Sequence, residues 1–166
     1  MTEARHAGAS APRRLTFEDL AEGAVFWGEE VVADEAEMVA YAGRYDPWPF
    51  HLDAEAGRRT AFGGLVASAG YTFSLWCQSL NGIMRSAGAE WAFLGGYDLH
   101  LSLRQPLRPG DRLRLRLEIA GKRPSSRPGR GHVQSRQALL RPDGATVLGV
   151  ELRFLIATRA GLAPGG

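Results

Sequence analysis

Residues 112–119 read RLRLRLEI, an order that suits a half-buried strand and no helix. Leu113, Leu115, Leu117 and Ile119 alternate with Arg114, Arg116 and Glu118, so a two-residue period puts every aliphatic side chain on one face. A strand of this kind needs neighbours, and the second half of the chain supplies them. Strands are expected over 97–104, 111–121, 131–141 and 146–158, separated by QPLRPGD, KRPSSRPGRG and RPDG. Pro-Gly-Asp and Asp-Gly suit those turns because they bring a pre-set φ and a tolerated positive φ. The longer, glycine-flanked KRPSSRPGRG reads as a mobile hairpin loop.

Upstream, the pattern changes. A strand is expected over 24–32, then a short amphipathic helix over 35–44, on which Met38, Tyr41, Ala42 and Tyr45 recur at helical spacing. Asp34 is its expected N-cap, with Glu37 at the capping-box spacing. Pro47 ends it, since the residue before a proline is pushed out of the α region. A second short amphipathic piece is expected at 53–59. The segment FGGLVASAGYTFSLWCQSLNG, 62–82, is apolar or small almost throughout. It predicts a long helix opening at Gly63-Gly64 and ending near Asn81-Gly82, buried on most faces. Gly64, Ala67, Ser68 and Tyr71 would form its small-residue side. One helix with a run of antiparallel strands indicates an α+β fold, an antiparallel β-sheet wrapped around one long central α-helix. Neither a GxGxxG after a strand nor a P-loop occurs.

At 166 residues the chain suits one domain, with flexible tails expected at 1–14 and 161–166. No run is apolar enough to span a bilayer; the weakly polar stretch 61–80 is broken by Gly, Ser, Thr and Gln. MTEARHAGASAPRR has no apolar h-region, so no secretory signal is expected, and the cytoplasm is the expected compartment. The single cysteine, Cys77, excludes an internal disulfide and a cysteine-based zinc site. Up to residue 100 there are 7 Arg against 14 Asp and Glu; from 101 onward, 13 Lys and Arg against 4 Asp and Glu. A basic half can meet an anion, but these arginines alternate with core leucines and read as a solvated strand face. No nucleic-acid-binding motif accompanies them.

The stretch RYDPWPFHLD, 44–53, carries the chemistry. Asp46 and His51 stand five positions apart, with Pro47, Trp48, Pro49 and Phe50 between them. Histidine can take a proton from water and return it near neutrality, and a nearby carboxylate fixes its tautomer or shares the same water. Prolines restrict the backbone, and Trp48 and Phe50 can keep bulk water out. The structural alternative is that Asp46 caps a turn, His51 is a satisfied core histidine and Asp53 is a helix N-cap. Position favours chemistry: the pair precedes the expected start of the long helix, where free N–H groups favour a developing oxyanion. A thioester carbonyl would sit between the pair and the Gly64 N–H.

DPWPFH resembles the D-x-N-P-[LIV]-H pattern of the MaoC-like dehydratase family, the (R)-specific enoyl-CoA hydratases of the hotdog fold. FGGLVAS resembles that family's H-G-M-L-x-A-S opening of the central helix. QPLRPGDRL and KRPSSRPGRG resemble its later segments, so the likeness covers most of 15–158. The resemblance implies a hotdog domain over 15–160, usually a homodimer, acting on acyl-CoA thioesters with no metal or organic cofactor; the residues themselves give no expectation of a nucleic-acid or membrane partner. It implies that Asp46 and His51 hold and activate the water that adds across, or leaves from, the α,β double bond. The Gly64 N–H would polarise the thioester carbonyl, and Ser68 matches a recurrent small polar position. Trp48, Phe50 and Phe62 would shape the acyl pocket. Two residues depart from the pattern: Trp48 replaces an amide, and Phe50 replaces a smaller aliphatic residue.

Two other functions are compatible with such a fold. A hotdog thioesterase would place a carboxylate on or near the central helix, where 63–82 has none. A non-catalytic acyl-CoA-binding or partner subunit would keep the fold without turnover, and Trp48 is its main support. His100 and His132 lack a further ligand at metal spacing and read as structural. Cys77, Phe73, Trp76 and Leu80 read as core. Arg127 and Arg130 read as solvated charges that can also meet CoA phosphates.

Overall fold

The computed structural model describes residues 13–86 and 89–162. Of the expected tails, 1–12 and 163–166 lie outside the described residues. Arg13 and Arg14, expected in the first tail, belong to β1 (Arg13–Leu15), which pairs in parallel with β3 (Ala89–Trp91).

The alternating second half forms β4 (Phe93–Leu103), β5 (Arg112–Pro124), β6 (Arg130–Leu140) and β7 (Thr146–Ala157). With β2 (Val25–Val32) they make an antiparallel sheet in the order β2-β5-β6-β7-β4. Leu113, Leu115, Leu117 and Ile119 are buried on its inner face, while Arg114, Arg116 and Glu118 stay on the outer one. Each such leucine contributes about 1.5–3 kcal/mol by leaving water. The expected long loop is short: Lys122, Arg123 and Pro124 pair with Val133, His132 and Gly131, leaving a turn at 125–129. Ladder bonds on both flanks outweigh the coil tendency of a Pro/Gly/Ser composition.

The sheet wraps around α4 (Ala69–Met84). Tyr71, Thr72, Leu75, Trp76, Ser79, Leu80, Ile83 and Met84 form its buried stripe. The opposite side is not covered: Phe73 and Cys77 are half-buried and Gln78 is exposed, because a five-stranded sheet encloses only part of the cylinder. Burial raises the Cys77 thiol above its ordinary range, which suits a packing residue. Close approach of α4 to β2 depends on Gly28, where a Cβ would stand 2.2 Å from the Ser79 Oγ. Beneath the helix a polar chain runs from the Trp76 Nε1–H to Gln137 Oε1 (2.7 Å) and from Gln137 Nε2 to the Ser135 Oγ (2.8 Å).

The helix starts at Ala69 and not at Gly63-Gly64. Ser68 is its N-cap, accepting the Tyr71 N–H at 3.2 Å, and 63–68 runs as irregular chain. Three nonlocal bonds hold that segment out of the helix. The Val66 N–H donates to the Phe50 carbonyl, the Ala67 N–H to the Leu107 carbonyl, and Arg108 Nη2 to the Phe62 carbonyl. The expected small-residue side from Gly64 to Tyr71 therefore does not exist as a helix face. No helix among the described residues is long and apolar enough to cross a membrane.

Candidate active site

Asp46 is the C-cap of α1 (Glu35–Tyr45), its N–H donating to the Ala42 carbonyl at 2.9 Å. The helix begins as expected at Asp34, whose side chain accepts the Glu37 N–H. The Glu37 carboxylate, however, accepts the Tyr71 hydroxyl at 3.2 Å and so ties α1 to α4. Burial, and then this bond, push the Tyr71 phenol up to about 12, so it remains a donor throughout the neutral range. Tyr41 crosses Gly70 so closely that a Cβ there would lie 2.5 Å from the Tyr41 hydroxyl. Asp46 and Ala69, the first residue of α4, line one cavity.

The connection to His51 is a turn and not an extended strap. Pro47 ends α1, the Trp48 N–H returns to the Asp46 carbonyl at 2.8 Å, and Pro49 opens a one-turn helix, α2 (Pro49–Leu52). Proline is tolerated at a first helical position because that N–H would lack a helical partner anyway. α3 (Ala54–Arg58) follows, with Asp53 as its N-cap, the role the structural alternative gave it. The turn brings the two titratable side chains together: His51 Nε2 lies 3.6 Å from Asp46 Oδ2.

The other ring nitrogen settles the tautomer. His51 Nδ1 stands 2.7 Å from the Val66 carbonyl. A carbonyl only accepts, so Nδ1 carries the proton and, in the neutral ring, Nε2 is an acceptor facing Asp46. Two acceptors 3.6 Å apart do not bond each other, but one water can donate to both. His51 is 8% exposed, and Asp46 is half-buried.

Both side chains line a cavity of about 430 Å³. Trp48, Phe50 and Phe62 form one wall. The Trp48 and Phe50 rings stack at 6.0 Å and 12°, Phe50 meets Phe62 at 5.3 Å, and its edge meets the His51 ring at 4.5 Å. Trp48 is 60% exposed, so within one chain it extends the wall outward instead of sealing the pair from solvent as expected. Nor does it fill the cavity.

Gly64 and Ser68 are not on the cavity's lining. Ser68 is fully buried, with its Oγ taken by the Tyr71 N–H. Gly64 packs its carbonyl where a Cβ on Gly57 would be, 2.2 Å away, so Gly57 must be glycine for the segment to close. Because α4 starts later than expected, the helix residues on the cavity are Ala69, at its first position, and Thr72. Sequence reasoning missed Val66, Thr72 and Gln105. Thr72 follows Ala69 at one helical turn, which a corrected helix start would have found. Gln105 lay in the quoted QPLRPGD. Val66 acts through its carbonyl and carries no side-chain signal. His100 and His132 lie outside the cavity; His132 Nδ1 pairs with the Tyr97 hydroxyl at 2.9 Å. No cluster of metal-ligating side chains occurs among the described residues.

A family model described as "MaoC like domain" matches residues 5–138. Among solved structures, the MaoC-like dehydratase from Rhodospirillum rubrum is 34% identical, with 87% of this chain and 98% of that one covered and a TM-score of 0.79. The (R)-hydratase from A. caviae involved in PHA biosynthesis is 19% identical, covering 85% of this chain and 98% of that one at a TM-score of 0.63. A Mycobacterium tuberculosis protein with a double hotdog fold is 20% identical, covering 91% of this chain and 46% of that one at 0.74. The latter two likenesses concern the fold, a hotdog in which the sheet wraps the long helix.

Proposed function

The chain belongs to the MaoC-like domain family, and from that premise we propose that it is a hydro-lyase acting on acyl-CoA thioesters, adding water across the α,β double bond or removing it. The observation that carries the proposal is the pair of acceptors, His51 Nε2 and Asp46 Oδ2, 3.6 Å apart on an apolar cavity. Water held between them donates one hydrogen to each. His51 takes a proton as the water oxygen bonds to the β-carbon, the π electrons move toward the thioester carbonyl, and the proton returns to the α-carbon. Elimination reverses these steps. The charge that develops on the carbonyl oxygen falls to N–H donors on the cavity, and the proposal assigns it to the Ala69 N–H at the start of α4 in place of Gly64. Gly64 and Ser68 then serve the frame, while Trp48, Phe50 and Phe62 contact the acyl chain.

Water and the thioester supply every atom this chemistry needs, so the proposal includes no metal or organic cofactor. It places the enzyme in the cytoplasm, with the CoA esters, as a homodimer. A thioesterase would want a carboxylate on the central helix, and Ala69–Met84 contains none. The binding-subunit reading rested on Trp48 occupying the substrate's place, and Trp48 leaves the cavity open.

The test follows absorbance at the enoyl-thioester band with crotonyl-CoA and a longer enoyl-CoA. Wild type should bleach the band, and Asp46→Asn and His51→Ala should each be slower by at least about 100-fold while remaining folded. Unchanged turnover in His51→Ala would end the assignment. Release of free thiol without hydration would indicate the thioesterase.

A further inference from the structure

We propose that Gln105 is a substrate-positioning residue whose side-chain amide donates to the thioester carbonyl. This rests on the hydro-lyase reading above and assigns the site a donor that the motif, with Trp48 in the amide position, does not carry.

Free donors are scarce on the cavity. Asp46 and His51 Nε2 face the cavity as acceptors. His51 Nδ1–H is committed to the Val66 carbonyl, and the Thr72 hydroxyl donates to the Ser68 carbonyl at 3.0 Å. Among the described residues, three side-chain donors on the cavity are left: the Trp48 indole, Arg104 and Gln105. Among the described residues, neither the Trp48 indole N–H nor the Arg104 guanidinium makes a side-chain hydrogen bond. Gln105 is different, because Arg141 Nη1 donates to its Oε1. A guanidinium only donates, so the amide oxygen must face Arg141; Gln105 is an exposed residue on the cavity's lining, and its Nε2 hydrogens have no partner among the described residues.

The guanidinium strut behind it is itself held by hydrogen bonds. Arg141 Nη2 donates to Asp111 Oδ2 and to the Pro106 carbonyl, each at 2.7 Å. Asp111 Oδ2 also accepts the Arg108 N–H at 2.8 Å. The loop that carries Gln105 is anchored a second time where the Leu107 carbonyl accepts the Ala67 N–H, two residues before Ala69. Gln105 and the start of α4 are therefore held in one frame. Gln105 and Ala69 line the same cavity, and in the proposal the Gln105 Nε2–H joins the Ala69 N–H on the thioester oxygen.

Two variants separate this role from a structural one. Gln105→Glu keeps an oxygen for Arg141 but has no N–H, so the strut and the melting temperature should survive while the donor is lost. Gln105→Met removes the donor without adding charge. Both should lower kcat on crotonyl-CoA by about 10- to 100-fold, with a smaller change in KM, because the bond strengthens as charge builds on the oxygen. Wild-type kcat in Gln105→Met would overturn the proposal, as would a loss confined to Gln105→Glu, which would be an effect of charge. If wild type itself hydrates nothing, the hydro-lyase reading fails, and calorimetric binding of butyryl-CoA decides the assignment. Weaker binding in both variants would then support the amide contact, and equal affinity in all three proteins would overturn it.

Discussion

At the scale of single residues, the site depends on groups that touch nothing reactive. Val66 carries no chemistry in its side chain, yet its carbonyl decides which nitrogen of His51 is bare. The position of that carbonyl depends in turn on Gly57, above which the Gly64 carbonyl passes too closely for a side chain. Gly57→Ala should therefore push the 62–66 segment outward. A loss on the order of 1–3 kcal/mol is expected, read as a lower urea midpoint. Activity should fall further than that loss of folded protein explains, since the His51 Nδ1–H would lose a partner now 2.7 Å away. Full activity in a folded Gly57→Ala would show that Val66 does not set the tautomer.

At the scale of elements, the connection between β4 and β5 joins the wall of the cavity to the sheet. Its anchor is the Arg141–Asp111 ion pair at 2.7 Å, with both partners mostly buried. Burial alone would raise the Asp111 carboxyl, but the Arg141 guanidinium and the Arg108 N–H bonded to it prevail and hold it below the usual carboxylate range. Asp19 is held lower still, first by the Thr16 N–H and then by Arg159. A carboxyl depressed in the folded state contributes stability that is complete above its unfolded value, about 3.9 for Asp, and is lost as pH falls through the folded value. The protein should thus lose stability below about pH 4. In urea titrations at pH 7 and pH 3.5, Asp111→Asn should start from a lower midpoint and drop less than wild type. A parallel drop in the two would place the acid sensitivity elsewhere.

At the scale of the whole molecule, the sheet is open on the side of β4. Leu99, Leu101 and Leu103 pair with Leu152, Val150 and Leu148, so they point to the inner face, yet they are 43%, 41% and 57% exposed. Between this strand and α4 lies a further cavity of about 340 Å³, lined by Trp76, Leu80, Phe93 and Leu99 among others. An exposed apolar edge strand is a template for pairing with another chain. A second copy set against β4 would continue the sheet and cover the half-buried side of α4 that one sheet leaves bare. Wild type should sediment as a dimer, and Leu101→Asp should yield a folded monomer. A Leu101→Asp protein that remains dimeric would move the interface away from β4.

Much of this architecture was legible in the chain, and the part that was not has a common cause. The alternation at 112–119, the Asp34 cap and the length of the apolar helix are local patterns, and local patterns specify strands, helices and the face each one buries. Asp46 and His51 were legible as a pair of titratable residues on one short connection; that the connection turns at Trp48 and Pro49 and so brings their side chains within 3.6 Å was not. The start of α4, the tautomer of His51 and the placement of Gln105 were not legible. Each depends on a hydrogen bond between distant segments: Ala67 to Leu107, His51 to Val66, Gln105 to Arg141. Periodicity and propensity are properties of neighbours along the chain, whereas the partner of a given carbonyl or guanidinium exists only once the sheet has closed around the helix. Local pattern is enough for the α+β fold and for the types of side chain in the pair; which atoms face the cavity follows from contacts that exist only in the folded chain.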